Sequence, residues 1–133
     1  MSDSYLSLLE ALRTNCHLPE FPNPLPSKQL DLELENGMKI VIDWNKKTNF
    51  VELFSELGTY SLKNELETLR KIAAANFLWQ STGGATLSIR PELKMVYLAL
   101  QNPVTGLKGK EFVEQVEQFI VTAQYWFSLL AKS

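Results

Sequence analysis

Cys16 and His17 stand side by side and are the only thiol and the only imidazole in the chain. Such a couple can make a nucleophile, because the imidazole takes the proton and leaves a thiolate. That chemistry needs the ring to face the sulfur, whereas sequence neighbours point apart. The pair therefore reads as the end of a helix without chemistry. One Cys and one His also fall short of the three or four ligands a zinc site takes, so no metal is expected. Gly83-Gly84 leads into a strand and presents no helix N-terminus to a phosphate. Gly106-Leu107-Lys108-Gly109-Lys110 does precede a helix, but it is too short for a phosphate loop, and Glu111 stands where the magnesium-binding hydroxyl belongs. Asp31, Glu33 and Glu35 recur at every second residue, as on the wet face of a strand. Lys63, Glu67 and Lys71 form i,i+4 pairs on a helix surface. These residue types support neither catalysis nor a bound cofactor.

The elements that carry them follow from periodicity. Tyr5, Leu8, Leu9 and Leu12 recur at helical spacing, so Ser4 to Asn15 is predicted as an amphipathic helix. From His17 to Pro26 four prolines, Pro19, Pro22, Pro24 and Pro26, force an extended connector. Leu30, Leu32 and Leu34 alternate with the three acids as a strand. Asn36-Gly37 accepts positive φ and closes a hairpin onto Met38 to Trp44. Lys46 to Asn49 turns the chain into a third strand, Phe50 to Leu57, which ends at Gly58.

Ser61 is a plausible N-cap for a helix over Ser61 to Trp79 whose apolar stripe is Leu62, Leu66, Leu69, Ala73 and Phe77. Gly83-Gly84 breaks it. Ala85 to Arg90 and Lys94 to Gln101 form a second hairpin at Pro91-Glu92. A last helix runs from about Lys110 to Leu130 with the stripe Phe112, Val116, Phe119, Ile120, Ala123, Phe127 and Leu130. The order is helix, three strands, helix, two strands, helix: one α+β domain over residues 1–133, with an antiparallel sheet packed by helices.

Composition sets bounds on partners. With 133 residues and 45% hydrophobic content the chain can build one core. Thirteen basic residues against fifteen acidic ones, net −2, make no basic stripe for nucleic acid. No apolar run reaches a membrane span. The first apolar stretch is broken by Glu10 and Arg13 and reads as no secretory leader. A single cysteine suits a reducing compartment. The expectation is a cytoplasmic protein.

There is also more apolar surface than one core needs. Val51, Leu53 and Leu57 share one face of the third strand, yet Phe50 and Phe54 take the other. Val41 likewise faces away from Ile40 and Ile42. Each exposed aromatic leaves on the order of 150–250 Å² of apolar surface in water, and such patches mark interfaces. The second helix adds Ile72, Leu78 and Trp79 off its stripe, while Ala73-Ala74-Ala75 permits another backbone to approach closely. A dimer built on this helix is expected.

The run Ala74-Ala75-Asn76-Phe77-Leu78-Trp79, then Ser81-Thr82-Gly83-Gly84-Ala85-Thr86-Leu87-Ser88-Ile89, resembles the core of bacterial type III secretion chaperones of the CesT type. The likeness continues through Val96 to Gln101 and into a last helix with Phe112, Phe119, Ala123 and Trp126. Upstream, Ile40 to Asp43 and Val51 to Gly58 fit the middle strands. The Pro19 to Pro26 connector and the acidic first strand depart from the pattern. The resemblance implies a homodimeric, ATP-independent chaperone. It would hold the N-terminal segment of a secreted effector in extended, non-globular form, soluble and ready for secretion, and present it to the secretion ATPase or sorting platform.

The residues expected to meet the effector are Leu6 and Leu9 in the first helix, Leu32 and Leu34 in the first strand, and Val41, Phe50 and Phe54. Those expected at the dimer contact are Leu66, Leu69, Ile72, Ala73 and Leu78. Two other readings fit the residues: a small α+β domain that binds a hydrophobic ligand, and a subunit that pairs with a different, homologous chain.

Overall fold

The computed structural model describes residues 2–15, 21–22 and 24–132; Cys16 and His17 lie outside them. Helix α1, Ser2–Asn15, buries all four residues of its predicted stripe, Tyr5, Leu8, Leu9 and Leu12. A helix this short is marginal alone. Burial of such side chains contributes roughly 1.5–3 kcal/mol each and holds it. The Tyr5 ring stacks on Trp44 with centroids 5.9 Å apart, and its hydroxyl donates to the Lys28 carbonyl at 2.6 Å. That bond fixes α1 to the start of the sheet.

Strands β1 (Gln29–Glu33) and β2 (Lys39–Asn45) form the predicted antiparallel hairpin, with Leu30 opposite Ile42 and Leu32 opposite Ile40. Gly37 takes φ 87° in the turn, and the Asn36 side chain accepts from the Met38 N–H at 3.0 Å. Asn49, at φ 57°, closes the next turn by donating its N–H to the Asn45 carbonyl at 2.8 Å. Strand β3 then runs Phe50–Thr59 and is bulged between Glu56 and Gly58. Its second neighbour is distant in sequence. Strand β5 (Met95–Pro103) pairs with β3, and β4 (Thr86–Arg90) lies outside it, so the sheet order is β1-β2-β3-β5-β4, antiparallel throughout.

Helix α3, Gly109–Ala131, packs across β3 and beside α1 on one face of this sheet. It buries Phe112, Val116, Phe119, Ala123 and Leu130 of the expected stripe, leaves Ile120 and Phe127 half-buried, and adds Val113 and Trp126. The sheet supplies Leu30, Ile42, Leu53 and Leu98 to the same core. The opposite face is covered by no helix among the described residues.

The second helix departs from the expectation in length. It covers only Glu65–Ala75, and a single 3-10 turn follows at Phe77–Trp79. Ser61 caps a turn instead, accepting from the Asn64 N–H at 3.2 Å. Asn76 ends the helix because its side chain is engaged elsewhere: it accepts from the Leu87 N–H and donates to the Leu87 carbonyl, both at 2.9 Å. Leu87 lies on β4, an edge strand, so the amide occupies main-chain groups that β5 does not use. Leu78 and Trp79 then take left-handed φ of 52° and 56° and reverse the chain. This conformation is uncommon for residues with a β-carbon.

The face of α2 buried in the chain is Thr68 and Ile72. The predicted apolar stripe points outward: Leu62, Leu66 and Phe77 are 72%, 63% and 70% exposed, and Ala73 is exposed too. Neighbouring positions on a helix are about 100° apart, so a core face built on Ile72 turns Ala73 and its i−4 and i−7 neighbours, Leu69 and Leu66, away from the core.

Candidate functional site

Across the uncovered sheet face the register sets side chains in rows. One row is Asp31, Val41, Phe54, Ala99 and Thr86, one residue from each strand. Ala99 is the small member of that row. Beside it opens a depression of about 400 Å³ lined by Phe54, Thr86, Gly84, Glu52 and Gln101. Phe54 is 38% exposed at its wall, and Val41 is half-buried beside it. Along β3 the same face carries Glu52, Phe54 and Glu56 in alternation, none of them in an ion pair among the described residues. Asp43, opposite Glu52, is bridged by Lys28 at 3.0 Å.

A second hollow, of about 600 Å³, lies between α1 and the connector. Leu6, half-buried, forms its floor with Phe21 and Leu25, and Pro22 and Pro24 form the rim with Glu10 and Arg13. Glu10 and Arg13 pair with each other, which holds the Glu10 carboxyl below the usual carboxylate range. Phe21 and Leu25 were not singled out in the sequence. Their signal was the alternation of apolar residues with prolines, which fixes an extended chain whose side chains cannot retreat into a helix.

The third apolar surface is the outer side of α2. It continues from Leu62 and Leu66 through the 3-10 turn, where Leu78 is 58% and Trp79 54% exposed.

The expected contact residues therefore separate. Leu6, Val41, Phe50 and Phe54 reach the surface. Leu9 and Leu32 do not: at 0% and 2% exposure they belong to the core, because they sit on the inward period of their helix and strand. Leu34 lies past the end of β1, half-buried against the core. Of the expected dimer contacts, Leu66 and Leu78 are well exposed, Ala73 is exposed and Leu69 is half-buried. Ile72 is 7% exposed and packs within its own chain. Leu62, Phe77 and Trp79 join the outer surface in its place.

The glycine segments are turns. Gly83, Gly84 and Gly106 have φ of 63°, 91° and 81°. At the N-terminus of α3 the Glu111 carboxylate accepts from the Lys108 N–H at 3.1 Å, so an acidic side chain already occupies the position a phosphate would need. Among the described residues no group of three His, Cys, Asp or Glu side chains is placed to hold a metal ion. Among the described residues no helix is long and apolar enough to cross a membrane.

Comparison with known proteins places this geometry. A family model, the Tir chaperone protein (CesT) family, matches residues 7–127. No curated protein sequence matches. Among solved structures, the chain is similar to one from the ExoT–SpcS complex of Pseudomonas aeruginosa, with 21% identity over 94% of this chain and 98% of that one and a TM-score of 0.64. A chain of the heterodimeric ExoU–SpcU complex from the type III secretion system of the same organism gives 14% identity, full coverage of both chains and a TM-score of 0.68. A chain of the ExsC–ExsE complex gives 14% identity over 96% and 92% of the two chains, with a TM-score of 0.66.

Proposed function

The chain belongs to the Tir chaperone protein (CesT) family, and on that premise we propose that it is a non-catalytic, cytoplasmic chaperone of bacterial type III secretion. Its cargo is an N-terminal segment of a secreted effector, bound in extended form and kept soluble and competent for export. The observation that carries this reading is apolar surface left outside a closed core, in three places. The sheet face and the α1 hollow offer Val41, Phe54 and Leu6. The outer side of α2 offers Leu62, Leu66, Phe77, Leu78 and Trp79. Contiguous surfaces of this kind mark contacts with other polypeptides.

These surfaces take two different partners in this proposal. A second copy of the chain covers α2, burying the exposed leucines with Ala73 where a facing backbone can approach. The effector wraps from the α1 hollow to the sheet face. Affinity comes from apolar anchors in the hollows and from main-chain pairing where the segment lies along a strand. Delivery to the secretion ATPase or sorting platform belongs to the same proposal.

The test is co-expression with an effector's N-terminal fragment from the same bacterium. The fragment should be soluble only in the presence of this chain. Phe54→Glu and Leu6→Glu should weaken binding while the dimer persists, and Leu66→Glu should dissociate the dimer. A fragment equally soluble alone, or sedimentation at micromolar concentration showing only particles of 15.1 kDa, would overturn the corresponding half of the proposal.

A further inference from the structure

The uncovered sheet face has a charge pattern as well as a hollow. On β3, Glu52, Phe54 and Glu56 point to that face in alternation. Same-face neighbours on a strand are two residues apart, roughly 6.6–6.8 Å. The row therefore presents carboxylate, aromatic ring and carboxylate at the spacing of side chains on one face of an extended peptide. Glu52 is half-buried at the rim of the depression, and no cation pairs with it among the described residues. Among the described residues Glu56 accepts only from the Tyr97 hydroxyl, at 3.4 Å. Farther along the face, Asp31 and Glu33 on β1 extend the negative charge, and Lys28 is already engaged by Asp43. Lys39 lies opposite Glu33, and Arg90 is on the far edge strand opposite Met95. Neither cation forms an ion pair with Glu52 or Glu56.

We propose that this face selects an extended segment in which one large apolar residue is flanked, two positions to either side, by lysine or arginine. The apolar side chain enters the depression between Phe54 and Thr86, where Ala99 leaves room. The flanking cations lie over Glu52 and Glu56. The inference rests on the reading of this face as the effector's seat and adds the chemistry of what sits there. Charge beside a half-buried apolar anchor is where ionic complementarity has most effect, since the carboxylate is already partly withdrawn from water. It also sets register: shifting the segment by one residue turns both cations to the opposite side of the peptide.

The experiment uses the full-length protein, isotope-labelled, titrated with short synthetic peptides and followed by NMR. The first peptide carries a central leucine with lysines two positions away on each side in a serine and threonine background. The second has the same composition with the lysines moved one position inward, and the third replaces lysine with glutamate. The first should bind roughly tenfold more tightly than the second and weaken with added salt; the third should bind weakest. Glu52→Lys should erase or reverse that order.

If the first and second peptides bind alike and Glu52→Lys changes nothing, selection by charge is wrong. If binding is nevertheless lost in a folded Phe54→Ser variant, the face remains the seat. Binding that survives Phe54→Ser, or no binding by any peptide, overturns the seat as well. Loss of self-association in Phe54→Ser would assign the face to a second copy of the chain and end the proposal.

Discussion

Replacing Asn76 by alanine isolates a contact that joins the second helix to the edge of the sheet. The side chain makes two hydrogen bonds of 2.9 Å with the backbone of Leu87, a residue 2% exposed. Alanine removes both and leaves the Leu87 N–H and carbonyl without partners in a partly buried setting. An unmet buried donor or acceptor costs about 1–3 kcal/mol. Two such groups, partly reached by water, give an expected loss on the order of 2–4 kcal/mol. At an ordinary urea m-value for a small domain, that moves the unfolding midpoint down by about 1–2 M. The measurement is urea unfolding at one fixed protomer concentration, since self-association makes the midpoint concentration-dependent. Hydrogen exchange at the Leu87 amide should accelerate in parallel. Asn76→Asp keeps the acceptor for the N–H but sets a carboxylate against the carbonyl, so it should be no more stable than alanine. A midpoint for Asn76→Ala indistinguishable from wild type, with Leu87 exchange unchanged, would refute this account of how α2 ends.

Three further outcomes follow from the geometry. Burial, aided by the charge of Asp43, raises the Tyr5 hydroxyl above its ordinary value near 10, so above that pH the folded chain holds a proton the unfolded chain releases. Stability should be indifferent to this group below pH ~10 and fall above it by up to about 1.4 kcal/mol per pH unit; urea titrations should show a shallower alkaline decline in Tyr5→Phe. Gly58→Ala should destabilise by about 1–3 kcal/mol, because φ is 142° there and a β-carbon would lie 3.3 Å from that of Leu130; an unchanged melting temperature would contradict it. Ile72→Glu should unfold the chain or cost more than about 3 kcal/mol, while Leu66→Glu should leave the protomer's circular dichroism intact, because only the first places a charge in the core.

Much of the fold was legible because most elements have a single apolar face. Tyr5, Leu8, Leu9 and Leu12 could turn only inward, and Asn36-Gly37 fixed the first hairpin and its register. The second helix has two apolar faces. Leu62, Leu66, Leu69 and Ala73 make as good a stripe as Thr68 and Ile72, and periodicity cannot choose which meets the core. The β3–β5 pairing lacks a connecting turn and so leaves no local signal. The candidate site was half readable. Phe54 and Val41 betrayed themselves by facing away from their strands' core rows. Leu9 and Leu32 obeyed those rows and were core residues. Glu52 and Glu56 carried no signal of their own in the sequence; the register sets Phe54 between them beside a hollow.

The amide of Asn76 also gives the sheet a direction. Sheets lengthen at their edges, and an unblocked edge on each side would let copies add end to end without limit. At the β4 end, a strand that pairs with the Leu87 N–H and carbonyl would first have to dislodge Asn76. The other end is β1. A sheet plugged in the middle of one edge strand is lengthened more readily from the other end, which favours a strand laid on β1 over one laid on β4. Two protomers that joined β1 to β1 would leave β4 edges outward, each plugged at Leu87, which disfavours growth into a fibre.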